Sequence, residues 1–241
     1  MGFSIHEACH RGDLHAVRLL VAADPACVNA DDHRAWRPVF HAAVARHAGV
    51  VRYLIQSGAD VGAHDGKALR CAAQVPGNRD IVALLMTHGA LDAHLRPAGD
   101  LDRQLLAALF LRDESRVRGL LHLHPELVAR PDGRGDQPLH HAARVGDTPV
   151  VRALLSAGAD PNARGRCGQT VLYCAGALGH AGTVDLLLRG GADSQVKLAR
   201  NGVTLSDWLQ SRGDDSPGVV EVIRLLDEQA HAVSGDLRVM V

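Results

Sequence analysis

The sequence predicts an all-α protein, an α-solenoid of about seven stacked helix-turn-helix repeats. One phrase recurs along the chain: a small residue in an apolar segment, then a glycine turn, then a V-x-x-L-L segment. The small residues recur at spacings of 30 to 36 residues, and a period in this range is typical of repeat proteins. Only 3% of the residues are aromatic, which suits thin layers of Ala, Leu and Val. The seven anchors of the repeats are Ala8, Ala42, Ala72, Ala108, Ala142, Ala175 and Trp208.

Each repeat is expected to contain two short antiparallel helices. The anchor alanine lies in the first helix, where a small side chain lets neighbouring repeats approach closely. In the second helix Val50, Val51 and Leu54 form an apolar stripe at helical spacing. Gly58 then supplies the left-handed residue that ends the helix. From there the chain is expected to extend as a short hairpin, a finger, that leads to the next repeat.

Residues 137–163, QPLHHAARVGDTPVVRALLSAGADPNA, resemble the ankyrin pattern TPLHxAAxxGxxxVVxLLLxxGADxNA almost position for position. The resemblance extends with more drift over roughly residues 4–227, so the chain is identified as a member of the ankyrin-repeat family. This implies an ankyrin-repeat α-solenoid with short hairpin fingers. We expect a single ankyrin-repeat domain over residues 1–230 and an irregular C-terminal tail over residues 231–241.

The chain also carries a duplication. Residues 11–32 align without gaps to residues 111–132, and Ala42 and Ala142 keep the same offset of 100 residues. Repeats one to three and four to six therefore look like two copies of one block, with repeat seven as a terminal cap. At the start of the chain, Ser4 and Glu7 have the spacing of a helix capping box.

Charge and cysteine usage limit the classes of partner and compartment. The formal net charge is −1, so nothing suggests bulk attraction to nucleic acid or to an anionic membrane. The five cysteines include no CxxC pair, which favours a reducing compartment. The start of the chain has no apolar signal region, and no stretch reaches 18 apolar residues. We expect a monomer in the cytoplasm.

The resemblance implies that the protein binds another protein or peptide, and the arginines favour an acidic or amphipathic one. Ankyrin proteins usually bind through the finger tips and the exposed side of the first helices, which line a concave face. Trp36 is the sharpest candidate because Trp and Arg dominate interface energetics, although Trp36 could instead pack on its neighbouring finger. Asp32 and Asp132 fall on the common finger aspartate, which stabilises a turn. The candidate partner-binding residues are Asp31, His33, Arg34, Trp36, His41, Arg134, Asp136, His141, Arg144, Arg164 and Arg166.

Catalysis is the alternative. No GxSxG, P-loop, GxGxxG or kinase motif occurs, so no catalytic residue is assigned and no cofactor is expected. The 15 histidines include no set with zinc spacing, so no metal is expected. His6 and His140 match the structural histidine of the ankyrin pattern. Functional sites are grafted onto folds, so a small-molecule-binding protein or atypical enzyme with a His/Asp/Arg pocket in the concave groove remains open.

Overall fold

The helical pattern predicted from the sequence is present throughout the structure, a computed structural model that describes residues 4–90, 99–197 and 202–236. Within these ranges the chain forms helices, and strand pairing is limited to an isolated bridge between Arg164 and Thr170. The all-α prediction is therefore confirmed. Internal contacts divide the chain into two compact units, Met1–Pro97 and Ala98–Val241.

The first unit holds three repeats. The first helices pack in sequence, α1 on α3 and α3 on α5, and the second helices make a parallel series, α2 with α4 and α4 with α6. A short 3-10 helix, Pro25–Asn29, follows α2. The helices are α1 (Ile5–Arg11), α2 (Leu14–Ala23), α3 (Pro38–Val44), α4 (Ala48–Gln56), α5 (Ala63–Gln74) and α6 (Arg79–Thr87).

The second unit holds four repeats arranged in the same way. First helix α9 packs on α7 and α11, and second helix α10 packs on α8 and α12. Short 3-10 helices occupy Pro125–Ala129 and Arg166–Gly168. The helices are α7 (Asp100–Phe110), α8 (Glu114–Leu123), α9 (Pro138–Val145), α10 (Thr148–Ser156), α11 (Val171–Gly176), α12 (Ala181–Arg189), α13 (Leu205–Arg212) and α14 (Pro217–Asp236).

The prediction of an irregular tail from residue 231 is wrong as far as the structure describes it. Helix α14 continues to Asp236, and residues 237–241 lie outside the described ranges. The repeat pattern does fade after Ala230, but residues 219–234 contain no Gly or Pro. With no Gly or Pro between residues 219 and 234 to stop it, the helix outlasts the repeat pattern and ends next to Gly235.

The alanine anchors lie where successive first helices meet. All six are at most 2% exposed, so a larger side chain at any of them would push two helices apart. In the seventh place Trp208 is half-buried, and its ring lies 5.2 Å from that of Tyr173. The large side chain is accommodated in the last repeat because no further repeat packs there within the described residues.

In both units, polar contacts join neighbouring repeats at the ends of the first helices. His180 Nε2 lies 3.0 Å from the backbone oxygen of Arg144. The imidazole passes so close to Gly146 that a Cβ there would lie 2.6 Å from His180 Nδ1. His47 repeats the arrangement over Gly12. Glycine is therefore needed at these turns both for its left-handed backbone and for the space it leaves.

Arg46 occupies the same turn in repeat two with a left-handed backbone, φ 67°. Because a side chain at such a φ is strained, we expect Arg46→Gly to raise the free energy of unfolding by about 0.5 kcal/mol, after the entropy cost of a new glycine. Urea denaturation measures this change. Gly146→Ala is the matched opposite change, and it should lower stability through its collision with His180. A destabilised Arg46→Gly variant would contradict this account of the turn.

Candidate functional site

Finger two, residues 30–37, is organised by one carboxylate. The backbone N–H of Asp32 donates to the oxygen of Trp36 at 3.1 Å, which closes the hairpin. Asp32 Oδ1 accepts from the backbone N–H groups of Arg34 at 2.8 Å and Trp36 at 2.9 Å. The other oxygen, Oδ2, lies 3.0 Å from His41 Nε2. Asp32 therefore fixes the turn and also ties it to the first helix behind it.

Burial and these contacts shift the pKa values of both Asp32 and His41. Burial raises the pKa of the Asp32 carboxyl, but the N–H groups of Trp36 and Arg34 and the His41 ring outweigh burial and bring the pKa to about 2. Burial lowers the pKa of His41, and nearby His6 and His10 act in the same direction against the pull of Asp32. The pair is therefore a carboxylate and a neutral imidazole at neutral pH.

Finger five, residues 130–137, repeats this geometry at the offset of 100 residues. Asp132 Oδ1 accepts from the N–H groups of Arg134 at 2.8 Å and Asp136 at 2.9 Å. Asp132 Oδ2 lies 3.0 Å from His141 Nε2. The two copies differ in exposure. The His141 and Asp132 side chains are 3% and 2% exposed, against 17% and 11% for His41 and Asp32.

Trp36 forms an aromatic platform in finger two. Its ring packs on Phe40 with centroids 4.5 Å apart. Lys67 Nζ from α5 lies 4.3 Å from the centre of the Trp36 ring, and the Arg34 guanidinium carbon lies 5.3 Å from it. The ring is half-buried while Arg34 is exposed. Trp36 thus packs on the helix that follows its own finger, not on a neighbouring finger, and two cations lie beside its indole.

Asp31 lies beside the platform in a chain of ion pairs. Its Oδ1 is 2.8 Å from His64 Nε2 and 3.5 Å from Arg37 Nε. Arg37 Nη1 reaches Asp60 Oδ2 at 3.0 Å. The hydrogen bond from His64 is the main reason that the pKa of Asp31 is lowered. These pairs join finger two to the start of repeat three, so Asp31 has a structural role while its side chain stays accessible.

In the second unit Asp136 links finger five to finger six, residues 163–170. Asp136 Oδ2 accepts from Arg144 Nη1 at 2.7 Å, and Oδ1 accepts from the backbone N–H of Arg166 at 2.7 Å. A Cβ on Gly165 would collide with the Asp136 carboxylate. Burial raises the pKa of Asp136, but Arg144 and the backbone N–H of Arg166 lower the pKa by more than burial raises it. The pKa of Asp136 therefore lies below its ordinary value. Asp136 is 4% exposed and acts as an ionic latch between fingers.

Asp132, Asp136 and His141 form a cluster with the geometry of a metal site. One ligand atom from each lies within 4.8 Å of the other two. However, both oxygens of Asp132 and both oxygens of Asp136 already accept hydrogen bonds from the protein. The Arg144 guanidinium also occupies the cluster, and its positive charge opposes a cation. This donor set fits a hydrogen-bond network better than a metal ion.

The structure therefore separates the predicted partner-binding residues into three groups. Asp136 and His141 are buried and His41 and Arg144 are largely enclosed, each with a partner inside the chain. A partner protein could bind such a side chain only in competition with its internal contacts, which weakens these four as binding candidates. Trp36 and Arg134 are half-buried. The exposed candidates are Asp31, His33, Arg34, Arg164 and Arg166.

Two members of the platform were missed by the sequence reading. Phe40 lies on α3, whereas Trp36 precedes the helix on finger two, so the i,i+4 spacing rule for helices did not indicate this stack. Lys67 is one of two lysines in the chain. Its position beside Trp36 follows from α5 beginning at Ala63, which the sequence pattern did not specify.

Comparisons with known proteins identify the class. The family profile described as "Ankyrin repeats (3 copies)" matches residues 5–96 and 105–197. The chain belongs to the ankyrin-repeat family, whose repeats generally serve as scaffolds for protein interaction. No helix of the described residues is long and apolar enough to cross a membrane.

Individual relatives are similar over part of their length. Ankyrin repeat protein nuc-2 of Neurospora crassa is 32% identical over 186 residues, which are 76% of this chain and 17% of that protein. The probable E3 ubiquitin-protein ligase XBOS33 of Oryza sativa is 37% identical over 51% of this chain and 23% of its own length. The chain thus spans less than a quarter of either relative. The crystal structure of the ankyrin repeat domain of Bcl-3 has 26% identity, covers 92% of this chain and 98% of that one, and gives a TM-score of 0.43.

The two finger aspartates should differ in their contribution to stability. Asp132→Ala leaves two turn amides and a buried imidazole without a partner, and we expect a loss of about 2–4 kcal/mol. Asp32→Ala should cost about 1–2 kcal/mol because water reaches that copy. Urea denaturation of the two variants gives the comparison. Equal losses would contradict the difference in burial as its cause.

The stability that Asp32 contributes should depend on pH and should decrease in acid. The folded pKa of Asp32 is about 2, below the unfolded value of about 3.9. Its contribution is therefore fully present above pH 4 and is lost as the pH falls through the folded value. The stability difference between the wild type and Asp32→Ala should shrink below pH 4.

Proposed function

We propose that this protein is a scaffold that binds another protein or peptide through its fingers and the exposed side of its first helices, the concave face of ankyrin proteins. The observation that carries this proposal is the Trp36 platform. Its ring is held by Phe40 and flanked by Arg34 and Lys67. A side chain that is fixed before binding loses little entropy on association, and Trp and Arg are the residues that dominate binding hot spots.

The charges around the platform favour an acidic partner. No carboxylate of the described residues forms an ion pair with Arg34 or Lys67. Cations that lack an internal counter-charge can pair with carboxylates of a partner, which contributes to specificity and to the association rate. In the second unit Arg164 and Arg166 are exposed on finger six, and their positive charge also favours an acidic partner.

A small-molecule site at the Trp36 platform is less well supported than a protein-binding surface. The depression beside Trp36 and Lys67 has a volume of about 10 Å³, close to the minimum needed for one water molecule. Ligand pockets measure roughly 300–1,000 Å³. The converging Asp, His and Arg groups of the second unit are paired with one another, so they do not offer free acid or base groups to a substrate. A protein surface fits the platform better than a substrate does.

The compartment and the assembly state are part of the same proposal. All five cysteines are free of disulfides, which supports a reducing compartment such as the cytoplasm. We propose that the scaffold acts there as a monomer that recognises its partner through side chains of one chain.

Affinity capture tests the proposal. The triple variant Trp36→Ala/Arg34→Ala/Arg134→Ala should recover at least tenfold less partner than the wild type, since hot-spot residues contribute about 2 kcal/mol or more each. The matched control is Arg52→Ala/Arg152→Ala, which removes two exposed arginines from second helices. Partner recovery that is unchanged in the triple variant, or equally reduced in the control, would reject this surface. Recovery should also fall with added salt.

A further inference from the structure

A groove runs between the second helices α8 and α10 of the second unit, away from the fingers. Its volume is about 490 Å³, within the range of roughly 300–1,000 Å³ for ligand pockets. Leu121, Pro125, Ala153 and Ala157 give it apolar walls, and Arg118 and His122 add polar groups. Such a mixture suits a group that is apolar over most of its surface and polar at one end.

The duplicated block shows what occupies the corresponding place in the first unit. There Arg18 lies over the ring of Tyr53, with its guanidinium carbon 5.5 Å from the ring centre. At the offset of 100 residues, Arg18 corresponds to Arg118 and Tyr53 corresponds to Ala153. The arginine has been retained while the ring beneath it has been lost. In the second unit the groove lies where the first unit has its tyrosine.

One further difference positions the arginine at the groove. Leu14 corresponds to Glu114, whose Oε1 accepts from Arg118 Nε at 2.8 Å. This ion pair holds the Arg118 stem along α8, and its side chain remains 50% exposed. The guanidinium is therefore positioned beside the groove, in a side chain that is half exposed to solvent.

We propose that this groove binds an aromatic side chain, a tyrosine, from a partner polypeptide. The partner's ring takes the place that the Tyr53 ring has in the first unit and stacks on Arg118 as a cation–π pair. The apolar walls bury its faces, and His122, which replaces Ala22 of the first unit, is a hydrogen-bond partner for the phenol hydroxyl. This surface is separate from the fingers and gives the protein a second contact with a partner.

A model ligand tests the site without knowledge of the partner. N-acetyl-L-tyrosinamide is titrated into the ¹⁵N-labelled full chain, and amide shifts are followed by NMR. We expect saturable shifts confined to residues 118–125 and 153–157, with half-saturation in the millimolar range. N-acetyl-L-leucinamide should bind about fivefold more weakly because it lacks a ring to stack on the cation. Equal binding of the two amides, or shifts spread over the whole chain, would overturn the proposal.

The duplication supplies matched variants. Ala153→Tyr places the ring of the first unit in the groove, and the tyrosinamide shifts should disappear. Tyr53→Ala opens the corresponding place in the first unit, and new shifts should appear at residues 18–25 and 53–57. Arg118→Gln should weaken binding about fivefold. Retained binding in Ala153→Tyr, or no second site in Tyr53→Ala, would contradict the assignment, and the gain in Tyr53→Ala does not depend on the folding of Ala153→Tyr.

Discussion

Each repeat can bury its apolar face only against the repeat beside it, and this constraint determines the rest of the structure. Helices such as Ile5–Arg11, with seven residues, would be marginal in isolation. Their stability comes from neighbours that pack at close range. Close range requires alanine at the anchors and glycine where an imidazole from the next repeat crosses the chain. The same residue types recur in the sequence at each repeat because the contact between repeats permits only small side chains at those positions.

The fingers obey a second constraint, because an extended hairpin without neighbours on both sides must fix its own backbone. Asp32 and Asp132 do this with the same four contacts, two to turn amides, one to the helix histidine and one through the hairpin bond. A rigid finger is a useful base for a binding residue, since the side chain at its end is positioned before a partner arrives. Asp32 fixes the backbone of the finger, and the fixed backbone in turn positions the candidate binding residue Trp36.

Much of the fold was predictable because it depends on local rules that repeat. The anchors, the glycine turns and the helix pairs all follow from a residue type at a fixed spacing. The site was less predictable because exposure depends on how adjacent fingers meet. Nothing near Asp136 in the sequence shows that Arg144 and the Arg166 amide will enclose its carboxylate. Lys67 reaches Trp36 only because repeat three lacks a full finger and its first helix begins early.

The helix end at Asp236 also shows what the repeat pattern does not predict. A family pattern indicates where repeats stop, but a helix stops where its own sequence or its packing ends it. Trp36 illustrates the same limit for function. Its position on a finger followed from the pattern, whereas its stack on Phe40 depends on how the finger lies against α3.

Differences between the two blocks at matched positions indicate that they have separate tasks. Trp36 and Phe40 correspond to Asp136 and His140, so the first unit has an aromatic platform where the second has an ionic latch. On the second helices the pattern reverses, because Tyr53 fills its place in the first unit and Ala153 leaves a groove in the second. Neither exchange is required by the packing of anchors, which is the same in both blocks. The two blocks thus share one framework of anchors and differ in the side chains placed on it, the first in its finger and the second on its second helices.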